Sequence, residues 1–202
     1  MEEGSGIVKV MEEVQGSILQ KMKDVNAIRA AAAETEAEAI SEIAVAVTDR
    51  LERGGKLITF GNGGSATDAN DLVADCVAPP PGFRTIPAVS LSAEPANITA
   101  IANDIGREAI FARQLIAHAK PEDVAIGIST SGGSANILAA LAEARKRDLL
   151  TVGIVGYDGG RILSERLADH AVVVRSDYIP RIQEVQASIY HVLRGLLERS
   201  KT

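Results

Sequence analysis

LITFGNGGSA, residues 57–66, sets a short apolar run directly before a segment with almost no side-chain bulk. Leu57 to Phe60 follow the Gly54-Gly55 break and read as a short buried strand. The chain then leaves the sheet through Gly61-Asn62-Gly63-Gly64-Ser65 and opens a helix. Backbone N–H groups left bare by glycine can approach an anion closely, and a helix N-terminus adds further donors and partial positive charge.

Outward from this point the punctuation repeats. Ile86 to Leu91, Val124 to Ile128, Thr151 to Val155 and Ala171 to Val174 are further short apolar runs separated by helical patterns. Five strands with intervening helices predict a parallel, doubly wound α/β sheet. Upstream, Ile7, Met11, Val14, Ile18, Met22 and Val25 recur at helical spacing, and a second helix is expected from Glu36 to Leu51. Downstream, Pro180 to Glu198 reads as a long C-terminal helix with its proline near the start. The expected organisation is one domain over 1–202, with a helical pair in 1–53 and the α/β core in 54–202.

Ligands of open α/β sheets bind beyond the carboxyl ends of the strands. There the third strand runs into Ser129-Thr130-Ser131-Gly132-Gly133-Ser134, four hydroxyl residues in six positions. Helix capping and turn formation would explain either Gly/Ser loop alone. Together the two describe a phosphate cradle. Neither ends in the Gly-Lys-Ser/Thr of a P-loop, and the acid that a dinucleotide site needs about 20 residues after its glycines is missing.

Composition narrows the partners. The 202 residues carry a net charge of −6 without a basic run, which leaves little electrostatic footprint for nucleic acid or an anionic membrane. No window reaches the length of a membrane span and the first residues are acidic, so a cytoplasmic location is expected. Cys76 is the only cysteine, which excludes an internal disulfide and a Cys-based zinc cluster; it reads as a small buried hydrophobe.

GNGGSATDAND, AEPANITAIANDIG, GISTSGGSANIL, GYDGG and RIQEVQASIYH resemble, in order and spacing, the successive signatures of the sugar isomerase (SIS) domain family in its phosphoheptose isomerase branch. The resemblance implies a flavodoxin-like five-stranded sheet with N-terminal helices and a long C-terminal helix. It also implies a homotetramer with active sites at subunit interfaces, and conversion of sedoheptulose 7-phosphate to D-glycero-D-manno-heptose 7-phosphate through an enediol. By resemblance, Asn62, Gly63, Gly64, Ser65, Glu94, Ser129, Thr130, Ser131, Ser134 and Gln183 hold the phosphorylated sugar. The family's metal ligands, most often of zinc, fall on Asp71, Asp75, Gln183 and His191. Two of these positions depart from the pattern, because Asp71 stands where the family has His and Asp75 where it has Glu.

The i, i+4 spacing of Asp71 and Asp75 puts both carboxylates on one helix face. Their mutual repulsion favours a bound cation or a raised pKa. The oxygen-rich set shifts the balance from zinc towards manganese or magnesium. Gln183 and His191 lie about 12 Å apart along an ideal helix, so a straight helix does not easily aim both at one ion. Asp75 is the expected base and His191 the expected acid. A second reading within the same resemblance is a non-catalytic phosphosugar-binding regulator, or an interaction module akin to the branch that binds the bacterial replication initiator.

Overall fold

The structure, a computed structural model, describes the backbone of residues 2–199 and the side chains of 7–198. Five strands, β1 (Leu57–Gly61), β2 (Ala88–Ser90), β3 (Val124–Ser129), β4 (Leu150–Gly156) and β5 (His170–Val174), form one sheet in the order β2-β1-β3-β4-β5. All four pairings are parallel. The three central strands are buried along their whole length, as expected of a sheet covered on both faces. The order reverses between β1 and β3, where the polypeptide goes first one way and then the other from the centre. A crevice opens there at the strands' carboxyl ends.

Helices α1 (Glu2–Thr35), α2 (Ala37–Glu52), α3 (Gly64–Val77) and α8 (Ile179–Arg199) cover one face. The other carries α4 (Pro95–Asp104), α5 (Ala112–His118), α6 (Ala135–Lys146) and α7 (Gly160–Ser164). Aliphatic side chains build both layers, and Phe60 and Phe111 supply the aromatic pair of the second. β2 is shorter than the run Ile86 to Leu91 suggests. Pro87 has no N–H to donate, and the Ile86 N–H is taken by the Cys76 carbonyl at 2.8 Å.

Buried polar groups hold the frame at its edges. Asp123, 2% exposed, accepts from the backbone N–H groups of Lys56 and Lys120 and pairs with Lys56 Nζ at 2.5 Å, tying the starts of β1 and β3 together. At the bend between α1 and α2, Glu36 accepts from the Val173 N–H of edge strand β5 at 3.1 Å. The apolar stripe of α1 divides in two. Val25 and Ala32 are buried, whereas Ile7, Met11, Val14, Ile18 and Met22 stay more than half exposed. Cys76 is fully buried, and burial pushes its thiol up to about 11, consistent with a packing role.

Candidate active site

Both Gly/Ser loops leave the sheet at the crevice. After β1, the Asn62 and Gly63 carbonyls accept from Ser65 and Ala66, and α3 begins. After β3, the Ser129 hydroxyl accepts from the Gly132 N–H at 3.1 Å and the Ser131 hydroxyl from Gly133 at 3.3 Å. Gly132 has φ +60°, and a Cβ there would lie 2.1 Å from the Gly159 carbonyl oxygen. Only glycine lets the Gly156–Gly160 turn pack on the cradle. The Gly132 carbonyl fastens it by accepting from Ile162.

A cavity of about 440 Å³ at the crevice brings Asn62 and Ser134 together with Asn136 at the start of α6. Asn136 was not expected from the sequence. Its side-chain amide exchanges two hydrogen bonds of 2.9 Å with that of Asn62, and its Oδ1 also accepts from the Ile137 N–H. Arg107 and Glu108, on a short 3-10 turn between α4 and α5, also line it. Nothing in the local pattern of the sequence singled them out. Glu94 stands at the N-cap of α4, where its carboxylate accepts from the Ala96 N–H at 3.1 Å.

The second group of candidates lies where α3 packs on α8. Asp71 and Asp75 do share a face, and that face meets α8. His191 Nε2 stands 3.3 Å from Asp75 Oδ2, with both side chains about half exposed. Its other ring nitrogen lies 2.7 Å from the Ala187 carbonyl, which orients the imidazole. Arg194, buried on the same helix, donates to the Asp75 carbonyl at 3.0 Å and to that of Arg84, fixing the end of α3. Gln183 meets the other end of α3, where a Cβ on Gly64 would lie 1.9 Å from its Nε2.

Two participants here were missed. Tyr190 is almost fully buried, with its hydroxyl 3.5 Å from Asp71 Oδ2. Burial and the charges of Asp68, Asp71 and Asp75 push its pKa up, so it stays a phenol. Asp68 Oδ2 is buried without a hydrogen-bond partner. Burial first and the Asp71 charge second raise this carboxyl to about 6, against a smaller opposing pull from His191. The signal available was Asp68 itself, one turn before Asp71 on the same face.

Among the described residues, no group of three or more His, Cys, Asp or Glu side chains is placed to hold a metal ion. Asp75 and His191 make a pair, Asp71 faces Tyr190, and Gln183 sits at the far end of α3. The donor set implied for a divalent metal does not close within one chain.

The SIS domain profile matches residues 22–156, more than half of the chain. The chain belongs to the SIS domain family. This SIS domain is 40% identical over 195 residues to a phosphoheptose isomerase of a Roseiflexus species, covering 95% of this chain and 92% of the relative. It is 46% identical over 153 residues to that of a Nitratiruptor species, covering 75% and 81%. Among solved structures, the phosphoheptose isomerase from Francisella tularensis superimposes with a TM-score of 0.87 at 29% identity, over 93% of this chain and 99% of that one.

Proposed function

We propose that this SIS domain is a phosphoheptose isomerase, an aldose-ketose isomerase that converts sedoheptulose 7-phosphate to D-glycero-D-manno-heptose 7-phosphate. The observation that carries the reading is the Asp75–His191 pair, a carboxylate and an imidazole 3.3 Å apart, with the carboxylate on the helix that the cradle opens. Full-length similarity to phosphoheptose isomerases supports it. The cradle of Asn62, Gly63, Gly64, Ser65, Ser129, Thr130, Ser131 and Ser134 holds the phosphate end, with Glu94 and Gln183 towards the sugar. Positioning of this kind supplies a large part of the rate.

In the chemical step Asp75 takes the proton from the carbon next to the carbonyl. The C–H electron pair becomes the C=C bond of the enediol while the carbonyl oxygen gains a proton from His191. Asp75 then delivers the proton to the former carbonyl carbon, while the hydroxyl on the carbon that lost its hydrogen gives its proton to His191 and becomes the new carbonyl, which completes the exchange of aldose and ketose. Zinc is what the family resemblance implies for Asp71, Asp75, Gln183 and His191, and an oxygen-rich set also admits manganese or magnesium. Because those side chains do not converge within one chain, no step is assigned to a metal.

Assembly belongs to the same reading. The proposed state is one domain per chain in a cytoplasmic homotetramer with sites at subunit interfaces. The exposed apolar half of α1 and the apolar groove of about 420 Å³ between α1, α2 and α8 support it. No described helix is long and apolar enough to cross a membrane. The deciding experiment is proton NMR of sedoheptulose 7-phosphate with the purified protein in D₂O. Deuterium should enter the carbon next to the carbonyl as product forms. Binding of the sugar phosphate with neither exchange nor product would replace the enzyme by a non-catalytic sensor.

A further inference from the structure

The cradle lacks a charge that its ligand calls for. Neither residues 61–66 nor residues 129–136 include a lysine or arginine, and the chain as a whole carries a net charge of −6. A phosphate monoester brings close to two negative charges at neutral pH. Neutral hydroxyl and N–H donors can solvate that anion, but they do not balance it.

Arg107 lines the same cavity as Asn62 and Ser134. Several arginines of the structure are held in ion pairs, among them Arg50 and Arg53 with Glu122, Arg147 with Glu143, Arg161 with Glu165 and Arg181 with Glu184. Among the described residues, the Arg107 side chain has no hydrogen-bond or ion-pair partner, although it lines the cavity that the cradle opens into. Its neighbour Glu108 lines the same cavity, so the two add no net charge there. What Arg107 offers is therefore a directed contact rather than a diffuse positive field. A planar guanidinium makes that contact best with the oxygens of a phosphate, which it can engage in two parallel hydrogen bonds.

We propose that Arg107 is the phosphate-recognition cation of this site, its guanidinium engaging the phosphate seated in the cavity it shares with Ser134, Asn62 and the start of α6. The ligand class is a phosphorylated sugar. The inference rests on the isomerase reading for the identity of the substrate.

The test compares R107Q, R107K and K146Q with wild type. K146Q removes one positive charge from the exposed far end of α6, and controls for net charge alone. Calorimetry with sedoheptulose 7-phosphate and with inorganic phosphate gives Kd, turnover gives KM and kcat separately, and thermal melting confirms that each variant is folded. R107Q should raise both Kd and KM by roughly 10- to 100-fold, the range of a lost charge-assisted hydrogen bond, with kcat little changed. R107K should fall between R107Q and wild type, and K146Q should match wild type. An R107Q variant that binds as wild type does, or a K146Q variant weakened as much as R107Q, overturns the role of Arg107 and leaves the isomerase reading standing. A wild-type protein that neither binds nor turns over the sugar phosphate overturns that reading and the role of Arg107 with it.

Discussion

The loops after β1 and β3 present glycine N–H groups, hydroxyls and amides, whereas the facing sides of α3 and α8 hold Asp68, Asp71, Asp75, Tyr190 and His191. The loop surface is uncharged and its shape is set by backbone geometry: a left-handed glycine at 132, a tight turn packed behind it, hydroxyls already bonded to the chain. The helix surface carries titratable groups in close contact. Burial first and the Asp71 charge second raise Asp68, with His191 opposing, and burial followed by the charges of three carboxylates raises Tyr190. Binding and proton transfer are thus built from different materials, and mutation can separate them.

The largest effect is expected from Asp75→Asn. If the helix surface does the chemistry and the loops do the binding, turnover should fall by about 10²–10⁴-fold, the range of a lost general base. Calorimetric affinity for the sugar phosphate should stay near wild type. Turnover that survives this change would move proton abstraction off α3.

The complementary break is Ser65→Ala combined with Ser131→Ala. Sugar phosphates should bind more weakly by about 1–3 kcal/mol for each charge-assisted hydrogen bond lost. Solvent deuterium should still enter substrate at saturating concentration. Unchanged affinity in the double variant would mean that the loops cap helices and nothing more.

The smallest and most particular effect concerns Asp68. Its folded pKa of about 6 lies above the ordinary 3.8, so between those values the folded state binds more protons than the unfolded one. Its contribution to stability is fully present below 3.8 and is lost as pH rises through about 6. Asp68→Asn removes that dependence. Urea midpoints from about pH 4 to 7, the window that brackets this shift, should therefore show the variant gaining on wild type as pH rises. Parallel curves would show that the Asp68 carboxyl is solvated in the folded protein.

The same division explains what the sequence revealed. The three central strands were visible as apolar runs because central parallel strands are buried on both faces and need no alternation; the edge strands β2 and β5 are only partly buried. The loops were legible because glycine and serine encode backbone behaviour locally. The run expected from Ile86 to Leu91 shortened to β2 (Ala88–Ser90), its beginning lost to a proline and to a bond with Cys76. On the helix surface, Asp71 and Asp75 could be paired by spacing, but no local pattern says that Tyr190 packs beside them or that Gln183 fills the space over Gly64. Those contacts depend on how α8 lies on α3, over a hundred residues apart in sequence. Asn136 escaped for the same reason: it acquires its meaning from Asn62, across the crevice.

The Asn62–Asn136 bridge spans the two sides of the switch point, and its orientation is inherited from the backbone. The Ile137 N–H selects which end of the Asn136 amide is the oxygen, and that choice dictates how Asn62 must lie. Each amide spends one N–H and one oxygen on the other and keeps one N–H in reserve. Two loops that could have moved separately are thereby reduced to one rigid jaw. The entropy of arranging them is settled during folding, so a sugar phosphate arriving at the crevice meets donors that need no further ordering.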